Sequence, residues 1–135
     1  IALAFGFNGW GGKYEFPFDK DVAAFIAEQS GALLHRHDFI LEGGAVEFDG
    51  TGRLLTTKEC LLNKNRNPGM MQTDIEQALI SAFGVSDILW LDKGLLNDHT
   101  DGHIDNIARF IAPGHVLCQS PNGPDDPNAK TLDDI

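Results

Sequence analysis

Apolar and polar positions fall into short blocks separated by glycine-rich or proline-rich breaks, which predicts several short strands and few helices. Leu3 to Phe7 alternates weakly and runs into the glycine-rich loop Asn8-Gly9-Trp10-Gly11-Gly12. Asp19 is placed to cap a helix from about Lys20, with Val22, Phe25 and Ile26 at helical spacing. Gly31 is placed to end it in a left-handed conformation. A strand is predicted over Asp38 to Leu41, broken by Gly43-Gly44. Ala45 to Phe48 and Leu54 to Thr57 then read as a hairpin around Asp49-Gly50-Thr51-Gly52. Thr73-Asp74-Ile75-Glu76 has the spacing of a capping box. The helix it opens carries Ile75, Leu79, Ile80 and Phe83 on one side and stops at Gly84. Strands follow at Val85 to Leu91, His103 to Ile111 and Val116 to Gln119.

This order gives an α/β class whose hairpins and mixed connections differ from a simple parallel array. Two passes of a strand-rich unit with one helix each are visible, without the similarity of a true repeat. No linker divides the chain, so residues 1–135 read as a single domain, with 121–130 the one low-order stretch. A hydrophobic content of 42% is enough for a real core. No run of about eighteen apolar residues exists, so no membrane span is expected. The start lacks both a basic leader segment and an initiator Met, which fits a piece of something longer. A net charge of −10 disfavours nucleic acid and anionic membranes and weakly favours cationic ligands, although solubility alone also accounts for it. Cys60 and Cys118 show no CxxC spacing, so a reduced, cytoplasmic protein is expected.

The densest polar cluster is Asn97-Asp98-His99-Thr100-Asp101-Gly102-His103-Ile104-Asp105. On a strand, His103 and Asp105 share one face. An imidazole beside a carboxylate suits proton transfer, or gripping a cation while a proton moves. A polar turn capping a strand is the plainer reading. A metal set of His99, His103 and Asp105 needs a helix, which Thr100, Gly102 and Ile104 disfavour. In an extended chain, residues four apart lie about 13 Å from each other, too far to share an ion easily.

Glu42 ends an apolar strand before two glycines, which let a ligand approach the backbone, so it is either a site carboxylate or a turn acid. The Asn8 to Gly12 loop either lines a pocket or turns the chain, and it lacks the spacing of nucleotide loops. Cys118 reads as a buried strand cysteine. Cys60 sits beside Glu59, an acid that raises a thiol pKa. No GxSxG is present. His35 and His37 read as decorating a strand edge.

Several segments together resemble one family. Phe7-Asn8-Gly9-Trp10-Gly11-Gly12-Lys13-Tyr14, Leu41-Glu42-Gly43-Gly44, Leu54 to Asn63 with Asn65-Arg66-Asn67-Pro68, and Thr100 to Phe110 are similar, in order and spacing, to agmatine deiminases. The broader group includes bacterial peptidylarginine deiminases. The resemblance runs from Phe5 to about Asp126.

It implies the pentein fold, a fivefold α/β-propeller of ββαβ-type modules, of which about two are present here. It also implies hydrolysis of a guanidine to a ureido product and ammonia, agmatine giving N-carbamoylputrescine. In that family a cysteine thiolate attacks the guanidinium carbon and gives an amidino-thioether that water resolves. By motif match, His103 is the proton-transferring imidazole, Glu42 the acid that orients it and Asp105 a carboxylate gripping the guanidinium. Asp101 and Asn8 are further candidates for contact with substrate. No metal or organic cofactor is implied.

The departures matter as well. The family's nucleophilic cysteine follows a glycine-rich stretch near its C-terminus, and neither Cys60 nor Cys118 stands in that context. A second guanidinium-binding aspartate belongs to a segment before residue 1. His99 stands where some relatives carry an acid, which leaves Asp98 or Asp101 as candidates for the distal amine. The expectation is therefore a fragment of a larger deiminase catalytic domain that is inactive alone. A second reading is a non-enzymatic, truncated propeller module whose open sheet edges pair into a homo-oligomer.

Overall fold

Strands β1 (Ala2–Gly6) and β2 (Leu34–Ile40) run parallel, joined by helix α1 (Val22–Ser30), in the computed structural model, which describes residues 1–135. A hairpin follows, β3 (Val46–Phe48) antiparallel to β4 (Arg53–Thr57). Its turn is closed by Asp49, whose carboxylate accepts from the Thr51 and Arg53 amides at 2.7 and 3.0 Å. Against the upward push of burial, these bonds and the Thr51 hydroxyl hold the Asp49 carboxyl at about 2.

The chain then makes a short helix α2 (Lys58–Leu61) and a longer α3 (Gln72–Phe83). It returns as β5 (Asp87–Leu91), parallel to β4. The run β3-β4-α3-β5 is one complete ββαβ unit, while β1-α1-β2 repeats only its strand-helix-strand part. Strands β6 (Ala108–Ala112) and β7 (His115–Cys118) form a second antiparallel hairpin, and α4 (Ala129–Asp133) closes the described chain.

Adjacent residues of β4 point to opposite faces of its sheet and feed two cores. Leu54 joins Phe39, Leu41, Val46, Leu61, Ile75 and Leu79 on one side. Leu55 joins Ile104, Ile107, Ala108 and Leu132 on the other. Each fully buried side chain of this size contributes about 1.5–3 kcal/mol. Ile104 belongs to this second core, which ties the 103–105 segment to β4 through Leu55.

Helices α1 and α3 end at Gly31 and Gly84, both left-handed with φ of 65° and 68°, as the sequence indicates. Their starts differ from expectation. Asp19 to Asp21 form a single 3₁₀ turn, and no side chain caps α1. Helix α3 begins two residues earlier than the Thr73–Glu76 spacing suggests, with Met71 as its cap. Asp74 accepts from the Met71 amide at 2.8 Å, which leaves Glu76 free to bind the Trp90 indole N–H at 2.8 Å.

Val22, Phe25 and Ile26 keep helical spacing, yet all three are exposed and only Ala27 of α1 is buried. His37 is half-buried, with its ring stacked on Phe5 at 5.1 Å, and His35 is exposed. The 121–130 stretch is organised around Asp126, which accepts from the Asn122 and Asn128 amides.

Candidate active site

Glu42 leaves β2 just after the core residue Leu41 and is only 5% exposed. The segment Asn65-Arg66-Asn67 fixes that strand end. Asn67 accepts from the Ile40 amide at 2.8 Å and donates to the Ile40 carbonyl at 3.0 Å, acting as a neighbouring strand would. Arg66, with its side chain wholly buried, donates from Nε to Glu42 Oε1 at 2.6 Å. Its Nη1 reaches Asp101 Oδ2 at 2.6 Å, and its Nη2 reaches the Thr100 carbonyl at 2.9 Å. One guanidinium thus ties the end of β2 to the loop before His103. Burial pulls the Arg66 pKa down, but Asp101 and Glu42 more than offset it, so the cation persists.

The loop is held by local hydrogen bonds. Asp98 turns its carboxylate inward to the Thr100 hydroxyl and to the Gly102 and His103 amides, the last two at 3.0 and 3.1 Å. The Thr57 hydroxyl donates to the Gly102 carbonyl at 2.6 Å. Beyond the loop, Ile104 to Asn106 form a 3₁₀ turn, and the strand begins only at Ala108. The expected strand from His103 is therefore corrected. Asp98 anchors the His103 amide, and Ile104 sinks into the second core, which bends the chain out of any sheet.

His103 and Asp105 nevertheless come together, by turning around Ile104 and not by strand alternation. Both crowd Gly44, where a Cβ would lie 2.5 Å from His103 Nδ1 and 2.6 Å from Asp105 Oδ2. Gly44 is the position at which any side chain would displace the pair. Glu42, Gly44, His103 and Asp105 border an open cavity of about 900 Å³, together with Trp10 and Ile26. Burial lowers the His103 pKa, against the opposite pull of Glu42, Asp105 and Asp98, which favours a neutral imidazole.

Asn8 and Asp101 both have protein partners in the structure. Asn8 accepts from the Gly11 amide at 3.0 Å and donates to the Asn65 carbonyl at 2.8 Å. Asp101 takes Lys13 on one oxygen, and Asn65 and Arg66 on the other. Those donors overcome burial and hold its carboxyl at about 2. Lys13 also donates to the His99 carbonyl at 2.8 Å, fastening the glycine-rich loop to the same cluster.

The Arg66 guanidinium bridges the end of β2 and the loop before His103 with four hydrogen bonds, and its residue type alone marks no such role in the sequence. The one available signal is its position between two asparagines, a polar triplet that makes sense only if the cation is enclosed.

Neither thiol resembles an activated nucleophile. Cys60 is buried and its pKa is pushed up to about 12, by burial first and by Glu42 second, so Glu59 is not the cause. Cys118 is exposed on β7, against the expectation of burial, because β7 belongs to a two-stranded sheet and is exposed along its whole length. His99 is exposed and stands apart from any metal set. The metal-capable atoms that converge belong to Glu42, Cys60 and His103.

The sequence matches the profile of the Porphyromonas-type peptidyl-arginine deiminase family over residues 1–135. It is 47% identical over 129 residues to the agmatine deiminase of Pseudomonas aeruginosa (strain LESB58), covering 91% of this chain and 35% of that protein. It is 44% identical over 128 residues to the agmatine deiminase of Stutzerimonas stutzeri, covering 90% of this chain and 35% of that protein.

The fold superposes with a TM-score of 0.91 on the agmatine deiminase of Enterococcus faecalis, at 40% identity, covering 98% of this chain and 38% of that one. A substrate-bound agmatine deiminase of C. jejuni gives the same TM-score at 37% identity, covering 98% of this chain and 40% of that one. The chain spans about a third of the length of the curated relatives it matches. With the profile running through every residue and the α/β fold shared at this level of identity, the chain belongs to the Porphyromonas-type peptidyl-arginine deiminase family.

Proposed function

We propose that the protein to which these residues belong hydrolyses the guanidine group of a small cation, with agmatine as the first candidate, to a ureido product and ammonia. The observation that carries this reading is the meeting of Glu42, His103 and Asp105 around the side-chain-free Gly44 at the edge of an open cavity. Relatives sharing more than two-fifths of the sequence bear the name agmatine deiminase. The complete ββαβ run supports reading the chain as part of a propeller of such modules, within a larger catalytic domain.

In this reading Asp105, exposed on the cavity side, pairs with the planar guanidinium through charge-assisted hydrogen bonds. A cysteine from outside residues 1–135 passes its thiol proton to the neutral imidazole of His103 as its sulfur attacks the guanidinium carbon, since Cys60 is itself buried with its pKa pushed up. His103 gives a proton to the departing nitrogen, which leaves as ammonia, and an amidino-thioether remains. His103 then takes a proton from the attacking water, and the C–S bond breaks to release the ureido product and thiolate. Glu42 orients the ring and stabilises its charged form during transfer. Arg66 and Asp101 hold Glu42 and the His103 loop in register, which gives Asp101 a positioning role in place of substrate contact.

The test is ammonia and ureido-product release by the full-length protein from agmatine, compared with peptidyl-arginine. Turnover of agmatine that is lost in His103→Ala and in Asp105→Asn is the expected result. Normal turnover by His103→Ala would remove the role given to that imidazole.

A further inference from the structure

Two buried polar atoms at the candidate site have no protein partner, Glu42 Oε2 and His103 Nε2. A third donor stands with these residues, the sulfur of Cys60, a residue with no exposed surface. One ligand atom from each of Glu42, Cys60 and His103 lies within 4.8 Å of the other two. Each comes from a different element: the end of β2, helix α2 and the start of the 103–106 turn. A tetrahedral ion with ligands at about 2.0–2.3 Å needs its donors roughly 3.3–3.8 Å apart, so a closure on the order of 1 Å completes the set.

The donor set is selective. Thiolate, imidazole and carboxylate together suit zinc-class ions and exclude magnesium or calcium, which take oxygen ligands. The Arg66 hydrogen bond to the second oxygen of Glu42 supplies the outer contact that orients a metal-bound carboxylate. Asp98, Asp101 and Asp105 surround the site with negative charge, which Arg66 and Lys13 only partly offset. Glu42 and His103 border the cavity, and Cys60 lies behind them.

We propose that Glu42, Cys60 and His103 form a three-ligand site for a thiophilic divalent cation such as Zn²⁺, with the fourth position open to the cavity. Binding forms a metal–sulfur bond and sends the Cys60 proton to solvent. The occupied site silences turnover, because the imidazole and carboxylate are tied to the ion. The binding claim stands whatever reaction the protein performs. Only the inhibition claim rests on the function proposed above.

Cobalt(II) is the probe, since a cobalt–thiolate bond adds a near-ultraviolet charge-transfer band. One equivalent of Co²⁺ should raise that band in the full-length wild-type protein, with Zn²⁺ displacing it. Cys60→Ala, and Cys60→Ser should the first variant fail to fold, should lose the band and bind Co²⁺ at least ten-fold more weakly. No band at saturating Co²⁺ in the wild type, or an undiminished band in both Cys60 variants, would overturn the site. In turnover assays Zn²⁺ should inhibit the wild type, a chelator should restore it, and Cys60→Ala should need at least ten-fold more Zn²⁺. Equal inhibition of wild type and Cys60→Ala overturns the inhibitory claim. Absence of any deiminase turnover would count against the proposed reaction, while the cobalt band would still decide the site.

Discussion

Arg66 Nε donates to Glu42 Oε1 at 2.6 Å with neither side chain more than 4% exposed. A buried ion pair of this kind adds little net stability over an apolar pair, but removing one member strands the other. Arg66→Met should therefore destabilise the fold by about 3–5 kcal/mol. Glu42→Gln in the same background should recover part of that loss, because no uncompensated carboxylate remains. Denaturant melts of the two single variants and the double variant measure the coupling. Additive losses would mean that the pair acts independently and that Arg66 matters mainly through Asp101.

Acid should weaken the fold in two separate steps. His103 has a folded-state pKa below its ordinary 6.5, so the unfolded chain binds more protons near that value. Stability is full above about 6.5 and falls as the pH drops toward the folded pKa. Asp101 is held at about 2 against an ordinary 3.8, so its contribution is present above about 4 and is lost as pH falls toward 2. Unfolding measured across pH should show both declines. His103→Gln should flatten the upper step and leave the lower one.

The two thiols should differ sharply in reactivity. Cys60 is fully buried with a pKa of about 12, and Cys118 is exposed. Brief iodoacetamide treatment of the native protein near neutral pH should label Cys118 and spare Cys60, as read by peptide mass spectrometry. In denaturant both should react. Labelling of native Cys60 at a rate matching Cys118 would contradict the packing of α2 and reopen Cys60 as a nucleophile.

The local rules that can be read from sequence were those with a local cause. Gly31 and Gly84 end their helices as expected, and the Asp49 turn closes its hairpin, because each depends on a few neighbouring atoms. Glu42 and His103, each next to a glycine, and Asp105 stand out in the sequence as chemistry-bearing candidates, and the structure brings all three to one cavity. Their geometry was not legible in the sequence. His103, Ile104 and Asp105 alternate polar and apolar as a strand would, and only the second core and the Asp98 bonds show that the segment turns. Arg66 was legible as part of a motif without a role, since enclosure of a cation depends on residues far away in sequence, Glu42 and Asp101. The exposure of Val22, Phe25 and Ile26 has the same origin. Helical spacing identifies an apolar face, and only contacts from distant residues cover it.

Gly44 offers the sharpest test of the candidate active site. A methyl group there would meet His103 Nδ1 and Asp105 Oδ2 at 2.5 and 2.6 Å, well inside van der Waals contact. Gly44 has ordinary backbone angles, so Gly44→Ala strains nothing in the chain itself. The clash falls on two side chains that can rotate away, and the fold should lose at most about 1–3 kcal/mol. The reacting groups should be displaced by an ångström or so, a shift that costs about a hundred-fold in rate when geometry governs the chemistry. The expected result is a folded protein, by near-ultraviolet dichroism, with turnover of agmatine reduced at least that far. Near-normal turnover in Gly44→Ala would mean that His103 and Asp105 need not meet at Gly44 for the reaction to proceed.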